Sequence, residues 1–300
     1  VEHKKNIFKN FEEFINENDT QYRVDECTIV GGSLENKMFL FKNRDRATAL
    51  DQKVIRTKVS NVEVVYYTDE IGWVEGMNEH GVGFVFSALT APKKLKNIED
   101  KKRVYGKFKD SILTILTSKN IDEAIKKVHS TKKIGNFIVS DAKRMVEIEA
   151  FKDNGWTQKN GKVKYHMRDV DTSDIHIKSN HGVLIPEAGP DKPSRRAINH
   201  GDMTGRRAAS EMRIHQTRMQ LQGVKSVGDI PTRVKFQAYD PSSVLNTYRT
   251  DIEKTISQCL MNLTDLKFYF FYDLATTHQE VIELEDEFQD GKIKIEIRKS

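Results

Sequence analysis

The order in which strand-like and helix-like runs occur constrains this chain more than any other feature. From Cys27 to about Leu89 the signals are those of strands: "CTIVGG" and "KMFLFKN" flanking the turn-like "SLEN", then the alternating "NVEVVYYTD", then "IGWVEGMN" and "VGFVFSALT" around the turn "EHG". Residues 108 to 129 read as two helices, "FKDSILTILTS" and "IDEAIKKVHS", the second capped by Asn120. "IGNFIVSD" and "MVEIEAF" form a further hairpin, with weaker strands at 162–167 and 175–179. "GRRAASEMRIHQTRMQLQ" reads as a helix and so does "YRTDIEKTISQCLMNL"; "LKFYFFYDL" and "KIKIEIRK" close the chain as strands. Strands and helices come in groups rather than in strict alternation. That grouping favours an α+β fold of antiparallel sheets with helices packed outside them.

The 300 residues can bury a substantial core without staples. A net charge of +5 from 49 basic and 44 acidic residues is too balanced to point to nucleic acid. No apolar run approaches the length of a membrane span. Two cysteines, Cys27 and Cys259, exclude a disulfide framework, and a reducing, cytoplasmic setting is the simpler reading. Cys259, in the apolar "SQCLMNL", reads as an inert core residue on a helix. His176 and His181 match no standard zinc spacing, so neither a metal nor another cofactor is expected. Glu147 and Glu149 share one face of a strand, read as solvent-facing. Homo-oligomers are compatible with the sequence.

Residues 1–26 differ in character from the rest of the chain. "NIFKNFEEFINEN" is an amphipathic helix followed by a polar linker, with the character of a propeptide ahead of a domain at 27–300. In "CTIVGGSLENKMFLFKNRD" a turn centred on Leu34 and Glu35 sets Cys27 opposite Lys42 or Asn43. The second register places Cys27, Asn43 and Asp45 on one face and Lys42 and Arg44 on the other; a one-residue slip exchanges the two sets. Either way a scarce thiol meets the polar "KNRD" cluster at the end of an apolar hairpin. A thiol needs a base at neutral pH, and an α-amino group, with an ordinary pKa of about 7.7 to 8.0, can be that base. A cysteine that is itself an N-terminus carries nucleophile and base together. Cleavage between Glu26 and Cys27 would create one. Asp45 would then orient the amine, and Lys42 or Arg44 would favour the thiolate.

The pairing of Cys27-Thr28 with Lys42-Asn43-Arg44-Asp45 resembles the mature N-terminus of cysteine-type N-terminal nucleophile hydrolases. That group includes choloylglycine hydrolases, penicillin V acylases, acid ceramidase and the acyl-CoA:6-aminopenicillanic acid acyltransferases. "WVEGMNEHGVGF" resembles the family's Gly-Met-Asn-Glu-x-Gly hairpin, and "KSNHGVLIPEAG" its Ser/Thr-Asn-His segment, over about residues 27 to 215. The resemblance implies a four-layer α-β-β-α sandwich of two antiparallel sheets. It implies Cys27, Asn43 and Asp45 as a catalytic set and Asn180 as the side-chain donor of an oxyanion hole. It also implies a bracing arginine, supplied by Ser194-Arg195 or by Ser210-x-x-Arg213; on sequence alone Arg213 reads as a surface charge on a helix. Ser87-Ala88 falls where the bile-salt branch has Asn, leaving a backbone N–H there.

The activity implied is that of a self-cleaving amidohydrolase or acyltransferase acting on linear, non-peptide C–N bonds of a small molecule through an S-acyl enzyme. Tyr66, Trp73, Ser87 and His181 are the candidate substrate contacts. Two alternatives stand beside it: an unprocessed, non-catalytic binding module of the same fold, and a papain-like Cys27/His181 thiol hydrolase.

Overall fold

The computed structural model describes residues 26–46, 51–69, 72–89, 108–152, 163–185, 206–234, 254–272, 282–286 and 294–299. The propeptide-like helix expected within 1–26 lies outside them, apart from Glu26. Two seven-stranded sheets organise the described residues. The first runs β10 (His176–Lys178), β1 (Glu26–Leu34), β2 (Lys37–Arg46), β11 (Lys254–Asn262), β12 (Lys267–Tyr272), β14 (Lys294–Lys299) and β13 (Ile282–Asp286). The second is a meander in chain order throughout, with a helical connection between its fourth and fifth strands: β3 (Gln52–Val59), β4 (Val62–Asp69), β5 (Val74–Asn78), β6 (Gly83–Ser87), β7 (Gly135–Ser140), β8 (Met145–Lys152) and β9 (Val163–Asp169). All neighbours are antiparallel except β12 and β14, which run parallel.

The sheets face each other. Ile29 and Leu40 of the first share one core with Met77, Ile138 and Met145 of the second. Helices α1 (108–116) and α2 (Ile121–Thr131) add Ile112, Leu116, Ala124 and Val128 to the same core from the far side of the second sheet. Asn120 caps α2, its side chain accepting from Glu123 N at 3.0 Å. On the outer side of the first sheet, Val30, Phe39, Phe41 and Leu260 pack on residues that follow α3 (Arg206–Gln220): Leu221, Val224, Val227, and Ile230 at the start of α4 (Ile230–Arg233). The architecture is therefore an α-β-β-α sandwich, with polar groups buried where β1, β2 and β10 meet β5 to β8.

Two local expectations change. The β1–β2 turn centres on Glu35 and Asn36, both at positive φ (51° and 61°), the geometry of a two-residue hairpin loop. The centre lies one residue beyond Leu34–Glu35, so Cys27 stands opposite Arg44, not Lys42 or Asn43. The second change is at "KTISQCLMN", which is the strand β11 rather than a helix. It lies between β2 and β12 with both faces covered, so every residue from Ser257 to Asn262 is buried and the alternation that would identify a strand is lost. Strands β3 and β13 add to those expected. β3, "QKVIRTKV", is a half-exposed edge whose charged residues suit an unpaired flank.

The Gly-Met-Asn-Glu-x-Gly stretch has a purely structural explanation. A side chain at Gly76 would run into the Val65 carbonyl and Tyr66 on β4. Asn78 accepts from His80 N and Val82 N, closing the β5–β6 turn, and donates to the carbonyls of Leu116 and Ser118. It fastens the hairpin to the end of α1. Gly81 takes a φ of +74° that other residues rarely adopt.

Candidate active site

Cys27 is fully buried in β1, facing the second sheet. Its backbone N–H donates to Asn180 Oδ1 at 2.9 Å, and its carbonyl accepts from Ser179 Oγ at 2.9 Å. Ser179 and Asn180 follow directly on β10, which pairs with β1 from Ile29 to Gly31; that pairing brings residues 153 positions apart together. Arg213 completes the group from α3. Its Nη2 donates to Asn180 Oδ1 at 2.8 Å and its Nε to Ser179 Oγ at 3.0 Å. Ser210, one helical turn earlier, accepts from Asn180 N at 2.7 Å and meets His181 Nδ1 at 2.8 Å.

Side chains of the second sheet support the same segment from the other side. Asn136 Nδ2 donates to the carbonyls of Ser179 (2.7 Å) and His181 (2.9 Å), and Ser87 Oγ donates to the Ser179 carbonyl. Asn180 Nδ2 in turn donates to the Ala88 carbonyl at 2.8 Å, so the Asn180 amide lies against the backbone just after Ser87.

Two buried cations share Cys27's face of the first sheet. Arg44 donates to Tyr67 Oη and Asp69 Oδ2, while the other Asp69 oxygen accepts from Trp73 N at 3.0 Å. Lys42 Nζ donates to Glu75 Oε1 and to the Phe86 carbonyl (2.7 Å), and Trp73 Nε1 donates to the same Glu75 oxygen. The Trp73 ring stands 4.4 Å from Lys42 Nζ and 4.7 Å from the Arg44 guanidinium carbon. Burial works against charge on Arg44, but Asp69, Tyr67, Glu75 and Cys27 together outweigh it and hold the guanidinium protonated. By the same interaction Arg44 favours a thiolate on Cys27. Cys259 sits opposite Lys42, on β11; burial above all pushes its thiol well up, which makes it an unreactive neighbour.

The structure assembles some of the expected site residues and separates others. Cys27, Arg44, Asn180, Arg213 and Ser87 come together, with His181 and Trp73 at the margins of the group. Arg213 is 2% exposed and is no surface charge. Asn43 does not share Cys27's face: with Cys27 opposite Arg44 it points to the outer layer, accepting from Gln258 Nε2 at 2.8 Å. Tyr66 also faces away, toward α1, whose Lys109 Nζ lies 5.6 Å from its ring centre; Tyr67 is the tyrosine that reaches Arg44. Asp45 does not share Cys27's face in the register either: it stands opposite Glu26, on the alternate positions of β2 with Asn43; the side chains of Glu26 and Asp45, and Arg195 entirely, lie outside the described residues.

Glu147 and Glu149 are buried at 2% and 0% exposure, not solvent-facing. Burial opposes their ionisation. His176, Lys178 and Arg168 nonetheless hold Glu147 down to about 2, and Lys178 with the backbone N–H groups of Val183 and Leu184 holds Glu149 below the ordinary carboxylate value. Among the described residues no three His, Cys, Asp or Glu side chains gather as a metal site. Nor, among them, is any helix long and apolar enough to cross a membrane.

No family model matches the sequence, and no curated protein matches it. Among solved structures, the chain is similar to a cysteine-to-alanine mutant of the conjugated bile acid hydrolase from Clostridium perfringens. The TM-score is 0.50 at 13% identity, over 89% of this chain and 96% of that one. At that identity the likeness establishes the fold alone, an α+β sandwich of two facing, mainly antiparallel sheets with helices outside them.

Proposed function

We propose that this chain is an N-terminal-nucleophile amide hydrolase or acyltransferase for small linear amides, with Cys27 as nucleophile once the Glu26–Cys27 bond is broken. One observation carries the reading: the Cys27 nitrogen is already fixed, 2.9 Å from Asn180 Oδ1, on the residue whose thiol shares a face with buried Arg44. Hydrolysis of the bond before Cys27 turns that nitrogen into an amine of suitable basicity without moving it.

In the proposed cycle the amine takes the Sγ proton and the thiolate adds to the substrate carbonyl carbon. The amine then returns the proton to the leaving nitrogen as the C–N bond breaks, leaving a thioester. Water resolves the thioester to an acid, or an acceptor amine to a new amide. The oxyanion is assigned to Asn180 Nδ2 together with backbone N–H near Ser87, and the contact of Nδ2 with the Ala88 carbonyl supports this by placing the two side by side. Arg213 braces Asn180 and Ser179. Trp73 and Ser87 border the acyl group in this proposal, and Asp45, on the same alternate register position of β2 as Asn43, is given no part in it. The named activity of the bile acid hydrolase supports amide cleavage as the reaction class.

The test compares intact masses of freshly expressed wild-type and Cys27→Ala chains. The proposal expects the wild type to shed everything before Cys27 and the variant to retain it. Identical processing of the two would refute self-cleavage by Cys27. Full-length wild type that never becomes acylated at Cys27 would favour a binding module instead. The thiol-hydrolase alternative requires His181 as base. Its Nδ1 contact with Ser210 Oγ favours a structural role, so His181→Ala is expected to keep activity.

A further inference from the structure

Glu149 is a buried carboxylate to which the proposed chemistry gives no part. Its oxygens are nevertheless fully engaged. Oε1 accepts from Lys178 Nζ at 2.6 Å and from Val183 N at 2.9 Å; Oε2 accepts from Leu184 N at 2.9 Å and Ile185 N at 2.8 Å. Three successive backbone N–H groups thus converge on one carboxylate, a concave arrangement of the sort that binds anions.

The segment held this way is the one that carries Asn180. Lys178 ends β10, Ser179 and Asn180 follow, and Val183 to Ile185 complete the turn. Among the described residues the segment has no strand partner after Lys178, so side chains replace the ladder: Asn136 and Ser87 on the carbonyl side, Ser210 at Asn180 N, and Glu149 on the N–H side. Buried N–H groups left without an acceptor are costly, and bonds to a charged acceptor are about twice as strong as neutral ones.

We propose that Glu149 is a positioning residue, fixing the 179–185 segment through Val183, Leu184 and Ile185 so that Asn180 meets both Cys27 and the reacting carbonyl. This rests on the function proposed above. A displacement of about 1 Å at a reacting group can cost about a hundredfold in rate. Glu149 is placed to prevent one without touching substrate.

The experiment uses the full chain with Glu149→Gln, Glu149→Asp and Leu184→Pro, the last removing one N–H from the segment's side. Amide exchange is followed at 179–185 and in β7 and β8. Acylation of Cys27 by p-nitrophenyl acetate is followed in parallel, together with its half-saturating concentration. Glu149→Gln is expected to speed exchange at 183–185 about tenfold or more, the equivalent of one charge-assisted bond, with β7 and β8 still protected. Acylation should slow about a hundredfold at nearly unchanged half-saturation. Glu149→Asp should recover part of the rate, and Leu184→Pro should reproduce the slow acylation if Glu149→Gln does not fold. Unchanged exchange at 183–185 overturns the inference, as does faster exchange with a wild-type acylation rate. A wild type that is never acylated, combined with faster exchange in the variant, refutes the proposed function and leaves Glu149 as an anchor of the segment only.

Discussion

Replacing Arg44 with Met removes a cation from the space between the sheets and strands its partner. Asp69 keeps the Trp73 N–H on one oxygen, but its charge loses Arg44 in the protein interior, where both side chains are at most 1% exposed. Breaking a buried ion pair from one side costs about 3 to 5 kcal/mol, mostly for the charge left behind. Against a total stability of about 5 to 15 kcal/mol, that is a large fraction. The double variant Arg44→Met/Asp69→Asn removes the stranded charge. Asn keeps an acceptor for Trp73 N, and Met fills much of the vacated volume. It should therefore be more stable than Arg44→Met alone by about 2 kcal/mol or more, a coupling larger than separate sites show. Urea unfolding of the wild type, both single variants and the double variant measures that cycle. Arg44→Met within about 1 kcal/mol of wild type, or strictly additive singles, would refute the picture of a desolvated pair.

The folded-state pKa of Glu147 lies below its ordinary value. Its contribution is therefore complete above about 4.5 and drains away as pH falls toward 2. A drop from 4.5 to about 2 corresponds to about 3 kcal/mol; Glu147→Gln should lose that much at pH 7 by urea unfolding and converge with wild type near pH 2. Gly76→Ala should be far more destabilising than Gly31→Ala in thermal melts, because the first meets a backbone carbonyl and the second chiefly the flexible Met145 side chain. Asn180→Ala should slow Cys27 acylation by about 100- to 1,000-fold in stopped-flow measurements, the loss typical of one oxyanion donor; a change under about threefold would remove it from that role.

The fold was legible where the local pattern was unambiguous. Asn120 announces α2, and the polar turn at 141–144 between "IGNFIVS" and "MVEIEAF" marks both strands of the 135–152 hairpin. β11 was not legible, because the burial of both its faces hides the two-residue period, and a sheet's centre cannot be told from a helix in a short apolar run. The site was legible through its rare residue, Cys27, and through Ser-Asn-His at 179–181. The register was not: Asn36 accepting positive φ moves the turn one residue along, which turns Asn43 outward and brings Arg44 to the thiol. The roles of Asp69, Glu75, Asn136 and Glu149 leave no local signal, because each sits on an ordinary-looking strand and acquires its partner only through the tertiary fold. Glu149 in particular alternates with apolar neighbours as a solvent-facing acid would. Only the opposing Lys178 and the three N–H groups after it explain a carboxylate in the core.

The central claim is that one residue supplies both attacker and base. The most direct measurement is peptide mapping of p-nitrophenyl acetate-treated protein after selective α-amine tagging near neutral pH. The account predicts the acetyl group on a Cys27 that begins its peptide, on Sγ or on the α-amine to which an S-acetyl migrates, the same amine being tagged in untreated protein, with no peptide spanning Glu26 and Cys27. A Cys27 thioester in a peptide that still contains the Glu26–Cys27 bond would contradict it.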